Sequence, residues 1–223
     1  YTKGAFKFYS PAGGVDYTFP DGAVIRGSGY VVIAIAPSVL VTEGVTNVFG
    51  PFTGRLANDG EKLQLRDNAG RVMDAINFGV DGEWPLAPDG AGPSLAKKSC
   101  TLASAAAVNW GSSSRLGGTP GWPNSITTIP AQGVVLNEIG GASSTNFWVE
   151  IQNNSSASVE LSGMELQVQG NTPGSHVLSP YLLAAGEHFQ VAASALQFNA
   201  APDDRIFLYS TGRQTLFDAV SVK

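Results

Sequence analysis

Apolar and polar residues alternate in short runs along most of the chain. In Phe147-Trp148-Val149-Glu150-Ile151-Gln152, the residues Phe147, Val149 and Ile151 share one face, and Glu150 and Gln152 share the other. Lys62-Leu63-Gln64-Leu65-Arg66 and Glu165-Leu166-Gln167-Val168-Gln169 follow the same rule. Successive side chains of an extended backbone point to opposite faces, so each run predicts a half-buried strand. Tyr30-Val31-Val32-Ile33-Ala34-Ile35 is apolar throughout, the pattern of a strand covered on both sides. Turn signals separate the runs: Pro20-Asp21-Gly22, Asn58-Asp59-Gly60, Asn68-Ala69-Gly70, Pro88-Asp89-Gly90 and Ser210-Thr211-Gly212. Glycine supplies the positive φ such turns need, and Asn or Asp side chains bond the local backbone. No segment offers three turns of amphipathic helix, and only Leu102-Ala103-Ser104-Ala105-Ala106-Ala107-Val108 has room for a short one. Many short strands with regular turns predict an all-β protein, a sandwich or barrel with almost no helix.

The chain also repeats itself. Lys3-Gly4-Ala5-Phe6-Lys7-Phe8 leads to Gly29-Tyr30-Val31-Val32-Ile33-Ala34, as Ser162-Gly163-Met164-Glu165-Leu166 leads to Gly186-Glu187-His188-Phe189-Gln190-Val191-Ala192. Gly4 maps to Gly163 at a shift of 159, and Gly29 maps to Gly186 at a shift of 157. Farther on, Leu63-Gln64-Leu65, Gly70-Arg71 and Asp74-Ala75-Ile76 echo Ile206-Phe207-Leu208, Gly212-Arg213 and Asp218-Ala219-Val220. Near-constant shifts predict one module used twice, each copy long enough for its own core. The expected division is a first module over 1–124, a short extended linker over 125–131 and a second module over 132–223.

Composition narrows the class. Glycine and proline together make 40 of 223 residues, below the low-complexity range, while 43% of residues are hydrophobic and net charge is only −5. Such a chain has enough apolar material to fold. Its longest apolar stretch, residues 30–41, is broken by Pro37 and Ser38, short of the roughly 20 residues a membrane helix needs. No charged-then-apolar leader opens it. Residues 1–124 hold ten acidic and ten basic residues, whereas 125–223 hold eight and three, which supplies the whole net charge. Neither half has the basic stripe that phosphate contacts require, which argues against nucleic acid as a partner. Cys100 is the single cysteine, so no internal disulfide forms; among small neighbours it is expected as a packed apolar group.

These residues resemble the lamin tail domain, an immunoglobulin-like β-sandwich found at the ends of nuclear lamins and in many secreted bacterial proteins. In the second copy, Val134-Val135-Leu136-Asn137-Glu138-Ile139, Trp148-Val149-Glu150-Ile151-Gln152-Asn153 and Val159-Glu160-Leu161-Ser162-Gly163 are similar to that family's first three strands. In the first, Phe19-Pro20-Asp21-Gly22-Ala23-Val24-Ile25 and Gly54-Arg55-Leu56-Ala57-Asn58-Asp59-Gly60-Glu61 are similar to its middle. Trp84-Pro85, Asp89-Gly90, Ser94-Leu95, Asn109-Trp110 and Gly117-Gly118-Thr119-Pro120-Gly121 look like the long tail of bacterial members. The resemblance implies two immunoglobulin-like sandwiches in tandem. It departs in two places: the first copy lacks the opening two strands, and the second lacks the Trp-Pro to Thr-Pro-Gly tail. The chain thus reads as an excerpt of a longer protein, and as it stands its first copy has an open sheet edge, which invites strand addition.

Chemistry is sparse. His176, expected on a loop, and His188, expected at an exposed strand position, are the only histidines, and neither has a partner motif. Gly-x-Ser-x-Gly, His-x-x-x-His, Cys-x-x-Cys and Walker-type loops are absent. Asp59 with Glu61, Asp81 with Glu83 and Asp89, and Asp203 with Asp204 are acidic turns without the alternating spacing of a calcium loop. They read first as turn formers. Asn153-Asn154-Ser155-Ser156 holds two overlapping Asn-x-Ser acceptors and reads as a polar turn. Trp84, Trp110 and Trp122 fall in the Gly- and Pro-rich tail of the first copy. They form either a stacking platform for surface glycans or, the weightier reading, anchors for an irregular tail.

The expected role is a non-catalytic extracellular or bacterial-surface module, without cofactor or metal, serving adhesion, assembly or presentation of a neighbouring domain. Its expected partner is another protein or a second copy, bound through the open sheet edge. The alternatives are a carbohydrate-binding module using the three tryptophans and an accessory domain of a secreted hydrolase or nuclease.

Overall fold

A computed structural model describes residues 7–126, 133–170 and 172–223. The fold is all-β. Among the described residues, helix is confined to α1 (Pro37–Thr42), α2 (Ala193–Leu196) and two short 3-10 turns. The 102–108 segment, read as a short helix, gives only the 3-10 turn Ala107–Asn109.

Two compact units form, and their chain segments interleave. The first comprises Tyr1–Pro85, Ala96–Gly111 and Thr119–Asn124; the second comprises Leu86–Leu95, Ser112–Gly118 and Ser125–Lys223. The first unit holds β1 (Lys7–Tyr9), β2 (Val15–Thr18), β3 (Val32–Ile33), β4 (Val48–Phe49), β5 (Thr53–Gly54), β6 (Gly60–Arg66) and β7 (Val72–Gly79). The division passes through β8 (Pro93–Lys97) and β9 (Trp110–Leu116), which pair with each other. The second unit continues with β10 (Val134–Gly140), β11 (Trp148–Asn153), β12 (Val159–Glu160), β13 (Glu165–Gln169), β14 (Gly174–Val177), β15 (Leu182–Leu183), β16 (His188–Ala192), β17 (Arg205–Tyr209) and β18 (Leu216–Ser221).

In the second unit the sheet β14-β13-β17-β18 faces the strands β10-β11-β16 and β12-β15 across one apolar core. Leu166 and Val168 of β13 and Ile206 and Leu208 of β17 meet Val134, Val149, Ile151 and Val191 there, with Phe147, Leu161, Leu183 and Leu196 filling the ends. This is sandwich packing, with inward residues of two sheets interdigitating. Burying each such side chain contributes about 1.5–3 kcal/mol. The opposite face of β17 is covered too. Phe207 and Tyr209 pack with Leu216 and with Ala87 and Ala91, the Tyr209 hydroxyl donates to the Ala91 carbonyl at 2.9 Å, and Arg205 pairs with Asp89 at 2.7 Å. Residues 86–95 therefore belong to the second unit, although the sequence suggests a contiguous module over 1–124. Of the expected linker, Ser125 accepts the Ser114 N–H at 2.7 Å and Ile126 bridges Ser113; residues 127–131 lie outside the described residues.

The first unit repeats the same strand order. Its sheet runs β5-β2-β1-β6-β7, so β2, β1, β6 and β7 stand where β14, β13, β17 and β18 stand in the second unit. Register agrees as well. Leu63 faces Ile76 and Leu65 faces Asp74, just as Ile206 faces Val220 and Leu208 faces Asp218. The covering layer differs. The run over 30–35, read as a strand covered on both sides, is correct only for the two residues of β3, which pairs in parallel with the two-residue β4, and Tyr30 and Ile35 are exposed. Its counterpart β16 is held along its length by β11, and no strand like β11 stands beside β3 among the described residues.

Asn153 ends β11 with no exposed surface. Its amide donates to the carbonyls of Ala157, Leu183 and Ala184 at 2.8, 3.0 and 3.1 Å, and its oxygen accepts from Ser155 N–H and hydroxyl at 3.0 and 2.7 Å. Asn153–Ser156 do lead into a polar bend, as read, with Asn154 and Ser156 exposed, but Asn153 itself is an interior clamp. Leaving these carbonyls without a donor is costly. Asn153→Ala is expected to lower unfolding free energy by about 3 kcal/mol, read as a shift of the urea midpoint monitored by Trp148 fluorescence.

Candidate functional site

The histidines, the cysteine and the acidic turns stand apart from one another along the chain. His176 lies half-buried on β14 opposite Leu166, not on a loop, because the pattern Gly174-Ser175-His176-Val177 pairs with β13. His188 is exposed on β16 opposite Gln152, as read from the sequence. Cys100 is exposed rather than packed, since it follows β8 in a turn. Among the described residues, no three His, Cys, Asp or Glu side chains gather as a metal site. Of the acidic turns, Asp89 is taken up by Arg205 and Asp204 accepts the Ala201 N–H at 2.9 Å.

Most perturbed groups have structural explanations. Arg213 donates to Glu165 through Nε at 2.6 Å and also through Nη2, which holds the Glu165 carboxyl below its usual range. Tyr181 donates to Glu187 at 2.6 Å, lowering that carboxyl and raising the phenol. Backbone and side-chain hydrogen bonds from Arg71 and the Ala69 N–H keep Asp67 low. Burial pushes the Tyr209 phenol up to about 12.

A deep concavity lies wholly in the first unit. It is a groove of about 830 Å³. One wall is the face of the sheet that carries Phe8, Leu63, Leu65 and Ile76; the other is built from Phe19, Val24 and Ile25, from Ile33 and Phe49 on β3 and β4, and from Trp110. Phe19 packs edge-on against Tyr17 and Phe49, with ring centroids 5.2 and 5.5 Å apart, which fixes that wall. Most apolar side chains here are only half-buried. Among the described residues, the buried apolar side chains of the first unit are Val15, Val45 and Ala96, whereas Val24 and Ile25 are 69% and 60% exposed.

Polar groups at the groove are few: Gln64, Asp74 and Ser104. Gln64 accepts from Arg66, and the other two belong to one hydrogen-bond chain. Lys97 donates to the Ser104 hydroxyl at 2.7 Å, that hydroxyl donates to Asp74 Oδ2 at 2.7 Å, and the Ser104 carbonyl accepts the Trp110 indole N–H at 2.9 Å. This arrangement holds Trp110 in place. Of the other predicted platform residues, Trp84 is half-buried against Gly79 and Trp122 is 65% exposed. Only Trp110 of the three lines the groove. Sequence reasoning missed the groove, and Asp74 within it, although the repeat had already set Asp74 against Asp218.

In the second unit, Asp218 Oδ1 accepts the Ala219 N–H at 2.8 Å and Oδ2 accepts the N–H of Leu136 on β10 at 2.9 Å. Asp74 Oδ1 accepts the Ala75 N–H at 2.9 Å in the same way. Burial raises the Asp218 carboxyl above 3.8 despite its two hydrogen bonds. No family model matches the chain, and no curated protein matches it.

Because the folded state keeps the Asp218 proton to a higher pH than the unfolded chain does, this group's contribution is fully favourable below pH 3.8 and is lost as pH rises through the raised value. Asp218→Asn removes that loss. The stability of the variant relative to the native chain is expected to climb from about pH 4 upward and then level off, as read by urea unfolding at a series of pH values.

Proposed function

We propose that the chain is a non-catalytic interaction module of an extracellular or cell-surface protein, built as two immunoglobulin-like sandwiches in tandem and related to lamin tail domains, and that it engages another polypeptide through its first unit. The observation that carries this reading is the apolar groove of about 830 Å³ on a sheet whose apolar face is, among the described residues, only half-buried. Soluble monomers seldom leave such a surface open without a partner for it. The same strand order in both units supports the tandem reading, and the groove's lining of aliphatic and aromatic side chains with a single carboxylate suits protein more than sugar. Cell-surface adhesion and assembly need a rigid frame with an accessible face, which a sandwich supplies. The resemblance, rather than any feature of the fold, carries the extracellular placement.

The reading is tested with an apolar fluorophore, anilinonaphthalene sulfonate. The folded chain is expected to take up the dye, and Leu65→Lys to remove the uptake while the strand signal in circular dichroism persists. No uptake by the folded chain would overturn it. Light scattering over a concentration series then identifies the partner class: mass that rises with concentration and is suppressed by Leu65→Lys marks a second copy as the partner.

A further inference from the structure

The repeat states what the groove is shaped for. In the second unit the face made by Ile206, Leu208 and Val220 lies in the core that β10 and β11 complete with Val134, Val149 and Ile151. The register-equivalent face of the first unit, made by Leu63, Leu65 and Ile76, is the floor of the groove. At the rim of each face stands the same carboxylate in the same local geometry, with Oδ1 on the N–H of the next residue. In the second unit the other oxygen of that carboxylate holds the backbone of β10 through Leu136. In the first it accepts only a hydroxyl, that of Ser104. A carboxylate oxygen has two acceptor sites, so Ser104 leaves one for an incoming N–H.

We propose that the groove of the first unit is a receptor for two antiparallel strands that alternate apolar and polar residues as β10 and β11 do, and that Asp74 takes a backbone N–H of the incoming strand as Asp218 takes that of Leu136. This rests on the interaction-module reading and names the partner's chemistry. The incoming residues pointing at the sheet are medium-sized aliphatic ones, the kind that Val134, Val149 and Ile151 supply in the second unit. Affinity comes from covering the apolar floor and specificity from the alternate side chains that face it. β7 presents Val72 and Met73, 48% and 58% exposed, beside Asp74 at the edge of its sheet, so the site is open to an approaching chain.

The probe is a synthetic peptide of residues 134–153 of this chain carrying Trp148→Phe, added to the full 223-residue protein. Calorimetry is expected to show one-to-one binding, with amide exchange slowed over 60–79. Asp74→Ala in the protein is expected to weaken binding about tenfold, Leu65→Lys to abolish it, and Asp218→Ala to leave it unchanged. A peptide with Val149→Lys and Ile151→Lys is expected not to bind. Absence of binding at millimolar peptide by a protein that still takes up the dye would overturn the strand-acceptor proposal and leave the interaction-module reading intact. Absence of both would overturn the two together. Binding that survives Asp74→Ala, or protection that falls on 216–221 instead, would show exchange into the second unit and overturn the proposal as well.

Discussion

An apolar sheet face has to be covered, and the molecule is organised by how far each sheet meets that demand. β17 in the second unit meets it twice over: Ile206 and Leu208 lie against the opposing sheet, and Phe207 and Tyr209 lie against residues 87 and 91. Its five residues are accordingly buried almost without interruption. β6 in the first unit has the same place in the same strand order, yet Leu63 and Leu65 are only half-buried. Apolar area left in water costs about 25 cal/mol per Å², so this difference is an unfavourable surface term of the first unit. The groove is its visible form.

Most of the strand pattern was legible in the sequence, because alternation is a property of the chain itself. The runs at 62–66, 147–152 and 165–169 all fall on strands, and the near-constant shift between Gly4 and Gly163 and between Gly29 and Gly186 anticipates two sheets of one order. What alternation leaves out is whether anything lies over the face it defines. Leu63-Gln64-Leu65 and Ile206-Phe207-Leu208 read alike as sequence, and one is an open floor while the other is core. For the same reason the apolar run over 30–35 suggests a covered strand, yet both its ends are exposed and its middle is only half-buried.

Other features leave no periodic mark. Ala87 and Ala91 are small residues in an irregular segment, so nothing in their spacing signals that they seal the far side of β17. Asn153 sits in a string of Asn and Ser that resembles a solvated turn, and its burial follows from three carbonyls brought together from 157, 183 and 184. Asp74 was visible only through its alignment with Asp218. Its meaning came from the hydrogen bond to Leu136, which joins residues 82 apart in sequence.

The interleaving of the two units has a practical corollary for dissecting the protein. Because Leu86–Leu95 and Ser112–Gly118 belong with Ser125–Lys223, no single cut in the chain separates one complete unit from the other. A fragment that begins after residue 124 would bare Phe207 and leave the Tyr209 hydroxyl and Arg205 without Ala91 and Asp89. A fragment that stops there would carry two orphaned segments whose home is elsewhere. The two modules of the repeat are thus not interchangeable cassettes: a recombination breakpoint at the apparent boundary would strip the second unit of two of its segments, and only insertions or exchanges that respect the threaded segments would keep it intact.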